Sequence, residues 1–158
     1  MLHVPSEMIP RIRPSVRLMQ VITMVLVMSP ILFIAVILAA IDTESLHTEP
    51  KMLVLLAAAT GVVNYLLSFF FGPAFRKSVN ASDPVQYADV KTLLAGLKTS
   101  HIIQCAMIEG GIYLNLVVLL LDHGWFNLYI AGLGMVLMIF LFPTNGRTVR
   151  KIEKGLND

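Results

Sequence analysis

Residues 18–41 read LMQVITMVLVMSPILFIAVILAAI, a run without a single Asp, Glu, Lys, Arg or His. An apolar block of about 18 or more residues is the signature of a membrane-spanning helix. The block is too long for the apolar core of a cleavable leader, which covers about 7–15 residues. Ala39-Ala40 is also a poor cleavage match, so the expectation is a retained first span. Pro30 lies mid-block and predicts a kink near Ser29, with the loosened turn satisfied by neighbouring groups. Arg11, Arg13 and Arg17 precede the block, and an acidic loop with Asp42, Glu44, His47 and Glu49 follows it.

Three further blocks lie downstream. Residues 52–71 form the second, punctuated by Gly72-Pro73, and 78–84 is the best loop candidate. Asp83-Pro84 is a helix start, with Asp as N-cap and Pro at the first helical position. One long helix is expected from about Pro84 to Leu121, spanning the bilayer over about 97–121 and extending into the cytoplasm before that. The apolar side of the extension, Val90, Leu93, Leu94 and Leu97, needs cover from the C-terminal tail or a partner. Asp122-His123-Gly124 is a minimal turn, which forces antiparallel neighbours. The fourth block, 125–142, opens on an aromatic belt (Trp125, Phe126, Tyr129) and closes at Pro143. The tail, 147–156, is short, basic and of helical composition.

Composition agrees. Of 158 residues 56% are hydrophobic and 14% charged, against about 25% charged in soluble domains. A soluble fold this small lacks the core volume to hide that much apolar side chain. A net charge of +2 gives no argument for nucleic acid. The single cysteine, Cys105, excludes an internal disulfide framework and a multi-cysteine metal site. Every Lys and Arg except Lys51 falls in the N-terminal segment, the Arg76–Lys98 segment or the tail. By the positive-inside rule this puts both termini in the cytoplasm. The expected fold is all-α: one domain, 1–158, of four transmembrane helices in an antiparallel bundle, in a bacterial-type inner (plasma) membrane.

Glu109 is the residue that could carry chemistry. It lies at the centre of the third span, roughly 18 Å from either end, where an ionisable group must face protein or water rather than lipid. Burial at that depth favours the neutral acid. Two readings stay open: a proton- or ion-binding carboxyl, or a hydrogen-bond clip between helices. Three- and four-residue spacing puts Ile102, Cys105, Ala106, Ile112 and Tyr113 on its face. Asn64 on the second span is expected at the same depth, so an Asn64–Glu109 hydrogen bond is the best tertiary contact on offer. A second polar line, His101, Gln104, Gly111, Asn115 and Asp122, is either a helix–helix seam or a polar path, and Ile108 interrupts it.

Nothing else suggests chemistry. His3, His47, His101 and His123 share no ligand spacing, so neither a metal site nor a cofactor is expected. No phosphate-cradling glycine loop and no nucleophile–base pair is visible, and no catalysis of its own is expected. Asn80-Ala81-Ser82 is a glycosylation sequon on the cytoplasmic side, where it goes unused.

The run Ala106-Met107-Ile108-Glu109-Gly110-Gly111-Ile112-Tyr113-Leu114, continued by Val117-Val118 and three leucines, resembles the carboxylate helix of rotary ATPase proteolipids, the c-ring subunits. The resemblance implies that Glu109 is the ion-binding carboxylate of a rotor, and four spans match the doubled form of that subunit. It covers 106–121 only. The bulky second span (Tyr65, Phe69, Phe70, Phe71) and a carboxylate on the third span depart from the family's pattern. The leading expectation is a multi-pass membrane subunit, scaffold or accessory, whose partners are lipid and other membrane proteins or further copies of itself. The alternative is proton or ion handling through Glu109, with Asn64, Tyr113, His101, Gln104 and Asn115 in support.

Overall fold

The computed structural model describes residues 9–41, 46, 51–81 and 90–157. Among these the regular structure is helical: α1 (Ile9–Ala40), α2 (Met52–Ala81), α3 (Val90–Asp122), α4 (Trp125–Phe140) and α5 (Asn145–Asn157). Three helices are long and apolar enough to cross a membrane, over Ile12–Ala40, Met52–Phe71 and Thr92–Asp122. The fourth block forms α4, whose 16 residues make about 24 Å of helix against about 30 Å of hydrocarbon. A break of four residues or fewer separates it from α5, which turns away by 70°.

The helices outrun the apolar blocks. α1 begins at Ile9 and continues through Pro14 and Pro30 as one element. The Gly72-Pro73 pair does not end α2, which runs on to Ala81. A proline removes one backbone hydrogen bond, and a long helix bears that loss without terminating. The expected loop at 78–84 is therefore helical as far as Ala81, and its remainder lies outside the described residues. The expected start of α3 near Pro84 lies outside them as well; the helix is present from Val90.

α3 is the hub and packs on each of the other four helices. Three buried clusters adjoin it among the described residues; the smallest is Val54 and Ala57 of α2 with Val118 of α3, and different physics holds each of the other two. The larger gathers Ile37 and Ile41 from α1, Tyr65 from α2, Cys105, Ile108, Ile112, Leu116 and Leu119 from α3, and Ala131 and Met138 from α4. Where lipid replaces water, apolar burial gives little drive for association, and small residues that let backbones approach do more. Gly111 and Gly134 supply that approach around one side chain, Tyr65, and Gly61 supplies it beside Asn115. A Cβ on Gly111 would sit 2.7 Å from the Tyr65 ring, and one on Gly134 would sit 2.5 Å from its hydroxyl. That hydroxyl donates to the Ile130 carbonyl at 3.1 Å.

The smaller sub-core lies at the other end of α3. It joins Ile12, Val16 and Met19 of α1, Leu93, Leu94 and Leu97 of α3, and Ile152 of α5. The apolar side expected to need cover is thus covered within the chain, by the tail and by the N-terminal extension of α1. Much of this cluster lies before the apolar blocks begin, so water drives its burial, at about 1.5–3 kcal/mol for each large side chain.

Local bonds explain the bend after α4. Pro143 has no N–H to continue the helix. The carbonyl of Phe140 accepts from Arg147 Nη1 at 2.8 Å, and Gln20 Nε2 donates to the Pro143 carbonyl at 2.9 Å. Thr144 then opens α5 as an N-cap, its Oγ1 accepting from Arg147 N at 3.4 Å. At the opposite end of α3, His123 takes a left-handed φ of 55° and closes the helix with its N–H on Leu119 O at 2.9 Å.

Candidate functional site

α3 places Glu109 well inside the helix, thirteen residues before Asp122 (122 − 109), and leaves it partly exposed. Neither Asn64 nor Tyr113 hydrogen-bonds it. The Tyr113 hydroxyl forms a short hydrogen bond with Ser29 Oγ of α1, and its ring meets Phe33 with centroids 5.5 Å apart. Asn115 donates to Ala57 O at 3.3 Å, and Gly111 lies against Gly61. That register carries Asn64 to the level of Ile108, the residue before Glu109. Ile108 is fully buried. Glu109, a further 100° around the helix, looks past α2 rather than at it.

The structure regroups the polar residues of α3. His101 does not share a seam with Asn115. Its Nε2 lies 2.8 Å from Thr23 Oγ1 on α1 and 3.7 Å from Cys105 Sγ. Thr23 spends its one proton on the Met19 carbonyl at 2.8 Å, so His101 must donate from Nε2 to Thr23 Oγ1. His101, Cys105, Glu109 and Tyr113 therefore follow four-residue spacing along one side of α3, and α1 engages both ends of the row. Asn115 and Gly111 turn instead toward α2, with Asn115 Nδ2 also donating to Gly111 O at 2.9 Å. Asp122 pairs with Lys51 at 2.8 Å. Gln104 is partly exposed and belongs to neither group by any contact described.

Beside Glu109 on the outer surface of α3 are Ala106 and Gly110, both exposed. A Cβ on Gly110 would meet nothing within 4 Å. This is a small-residue strip of the kind that lets another helix come close, next to the one carboxyl at mid-helix.

Sequence reading passed over four partners. Thr23 and Ser29 are hydroxyls in an apolar block, and that contrast was the available signal. Tyr65 was read as bulk. Asn127 is fully buried, yet neither polar atom of its amide has a hydrogen-bond partner, and its place in an aromatic belt disguised it. Among the described residues no group of three His, Cys, Asp or Glu is arranged to hold a metal ion. The Cys105–His101 contact brings a thiol near an imidazole, but Cys105 is 0% exposed and no substrate can reach its sulfur.

Comparison with protein-family models, with curated proteins and with solved structures gives no match for this chain.

Proposed function

We propose that this chain is a four-span membrane subunit, with both termini cytoplasmic, that packs against another membrane helix through the Glu109 side of α3 and has no catalysis of its own. The observation that carries this is Glu109 itself. It is a mid-span carboxyl, partly exposed, with no hydrogen-bond partner among the described residues, beside the open strip of Ala106 and Gly110. A carboxyl at that depth needs protein or water, and a helix docked on the strip provides it.

Four features support the topology. The turn before α4 lies beside Asp122, which bonds Lys51 at the start of α2. Pro143, just beyond the far end of α4, is tied to Gln20 near the start of the first apolar block. From Gln20 to Ile41 is about 31 Å of helix, a length that supports α4 and its trailing residues together reaching across the bilayer. Partners on α3 fall in number as those on α2 rise, from Val54 with Val118 to Gly61 with Gly111, in keeping with antiparallel neighbours. A photo-crosslinker at Ala106 or Gly110 in native membranes should capture a membrane protein or a second copy, and Glu109→Gln should preserve the product. Crosslinks to lipid alone would sink the proposal.

Proton handling, as the proteolipid resemblance implies, is the second reading. It is favoured by the row His101, Cys105, Glu109 and Tyr113, which joins the mid-span carboxyl to a histidine nearer the α5 end. Proteoliposomes loaded with a pH dye decide it: proton flux lost in Glu109→Gln supports proton handling, and the absence of flux in the unaltered protein removes it.

A further inference from the structure

The α5 end of the molecule carries a cavity of about 240 Å³ lined by Met19, Leu97, His101, the 140–143 linker, Arg147, Thr148 and Lys151. Its walls divide by chemistry. Arg147 and Lys151 on α5 supply positive charge, the buried Thr148 lies between them in sequence on the same wall, and His101 stands on the α3 side. Phe140 and Leu141 form an apolar flank that runs out onto exposed Ile139 and Phe140. A second cleft, as open as the first and larger at about 460 Å³, is lined by prolines and by Arg13, Arg17, Gln20 and Asn145, with no large apolar side chain among them. Gln20 of that cleft donates to the carbonyl of Pro143, which lines the first. Glu153, the acid of α5 nearest in sequence, lines neither.

We infer that this cavity is a binding site for the phosphate headgroup of an anionic phospholipid. Size and setting choose the ligand. Pockets that swallow a whole small molecule measure about 300–1,000 Å³, so this one takes a headgroup and leaves the rest outside. The apolar flank beside it accepts acyl chains. A phosphate ester meets two cations, the charge that recognises it, with Thr148 on the same wall. Anionic headgroups are concentrated at the cytoplasmic leaflet, where juxtamembrane cations are drawn to them. Free inorganic phosphate shares the headgroup's charge but gains nothing from the flank.

The inference rests on the membrane reading above, and reconstitution separates the two. The full chain is incorporated into nanodiscs of phosphatidylcholine with a minor fraction of phosphatidylglycerol, and retained lipids are counted by native mass spectrometry. Failure to incorporate removes the membrane reading itself. For incorporated protein, phosphatidylglycerol should be enriched over its bulk fraction. Enrichment should fall roughly fivefold for each cation removed in Lys151→Gln and in Arg147→Gln. It should stay unchanged in Arg150→Gln, which alters the same helix outside the cavity. Thr148→Val, which keeps both charges and the side-chain shape, should lower enrichment less. Circular dichroism on each variant guards against loss of fold, and Lys151→Gln decides if Arg147→Gln unsettles the α4 terminus. No enrichment, or an equal loss in Arg150→Gln, overturns the site. Displacement of the lipid by millimolar inorganic phosphate alone overturns the lipid assignment.

Discussion

Tyr65 shows how much of this fold hangs on single residues. Its ring fills the space left by Gly111 and its hydroxyl crowds Gly134, so a side chain on either glycine would collide with it. In Gly134→Ala the new Cβ would sit 2.5 Å from the Tyr65 hydroxyl and 2.6 Å from Ile112. Overpacking of this kind costs about 1–3 kcal/mol. Gly132, two residues earlier on α4, has nothing within 4 Å of its would-be Cβ. Gly132→Ala should therefore be neutral, or stabilising by up to about 1 kcal/mol through helix propensity. Thermal unfolding in detergent should separate the pair, with the midpoint lowered only for Gly134→Ala; equal midpoints would show that Tyr65 is not the junction described here. His123 gives a parallel case. Its left-handed φ of 55° costs a β-branched residue about 1–2 kcal/mol. His123→Val should lower the same midpoint, whereas His123→Gly should not lower it on that account.

At the scale of elements, α5 and the first turns of α1 behave as a small water-driven core attached to a lipid-embedded one. Ile152 is fully buried between α1 and α3, so Ile152→Ala should cost about 2–5 kcal/mol locally. Ile152→Asp should free α5 to proteolysis while leaving the three long helices protected. Cleavage within α5 at the unaltered rate would refute this packing. This end of the molecule also marks where sequence stopped being a guide. The apolar blocks were legible because length and the absence of charge suffice to mark a span. The need for cover over Leu93, Leu94 and Leu97 was legible from their spacing. The tail was legible as one candidate for that cover, but the N-terminal stretch of α1 was not, because Ile12 and Val16 sit among charges, and the alignment of Ile152 with them depends on a 70° bend made by Arg147, Gln20 and Pro143. The ends of α2 and α1 were misplaced for a related reason. Hydropathy reports where lipid ends, whereas helices end where backbone hydrogen bonding does. Glu109 was legible as an oddity from its depth alone. Its neighbours along α3, Cys105, Ala106 and Tyr113, were legible from spacing, but the helix it faces was not, since one step of 100° around α3 decides whether a side chain meets α1, α2 or neither.

For the whole molecule the topology turns on α4, whose 16 residues are fewer than the roughly 20 of a standard span. The charges favour crossing. Arg147, Arg150 and Lys151 would join Arg13 and Arg17 on one side, leaving Lys51 bound to Asp122 on the other. The packing agrees, because Ile152 can reach Ile12 and Val16 only from that first side. A short helix can still span by local thinning of the bilayer and by interfacial residues at its ends, at a modest energetic cost. Phe126 and Tyr129 near its start are exposed as such anchors would be. The prediction follows for single cysteines placed at two exposed positions. The native thiol of Cys105 is sealed and should contribute no background. Lys51→Cys should react with an impermeant maleimide in intact cells, and Asn145→Cys should react only after the membrane is opened. Labelling of both from outside would make α4 re-entrant and the chain three-spanning, and it would also move the cationic cavity away from the cytoplasmic leaflet. Labelling of Asn145→Cys alone would invert the orientation while keeping the four crossings.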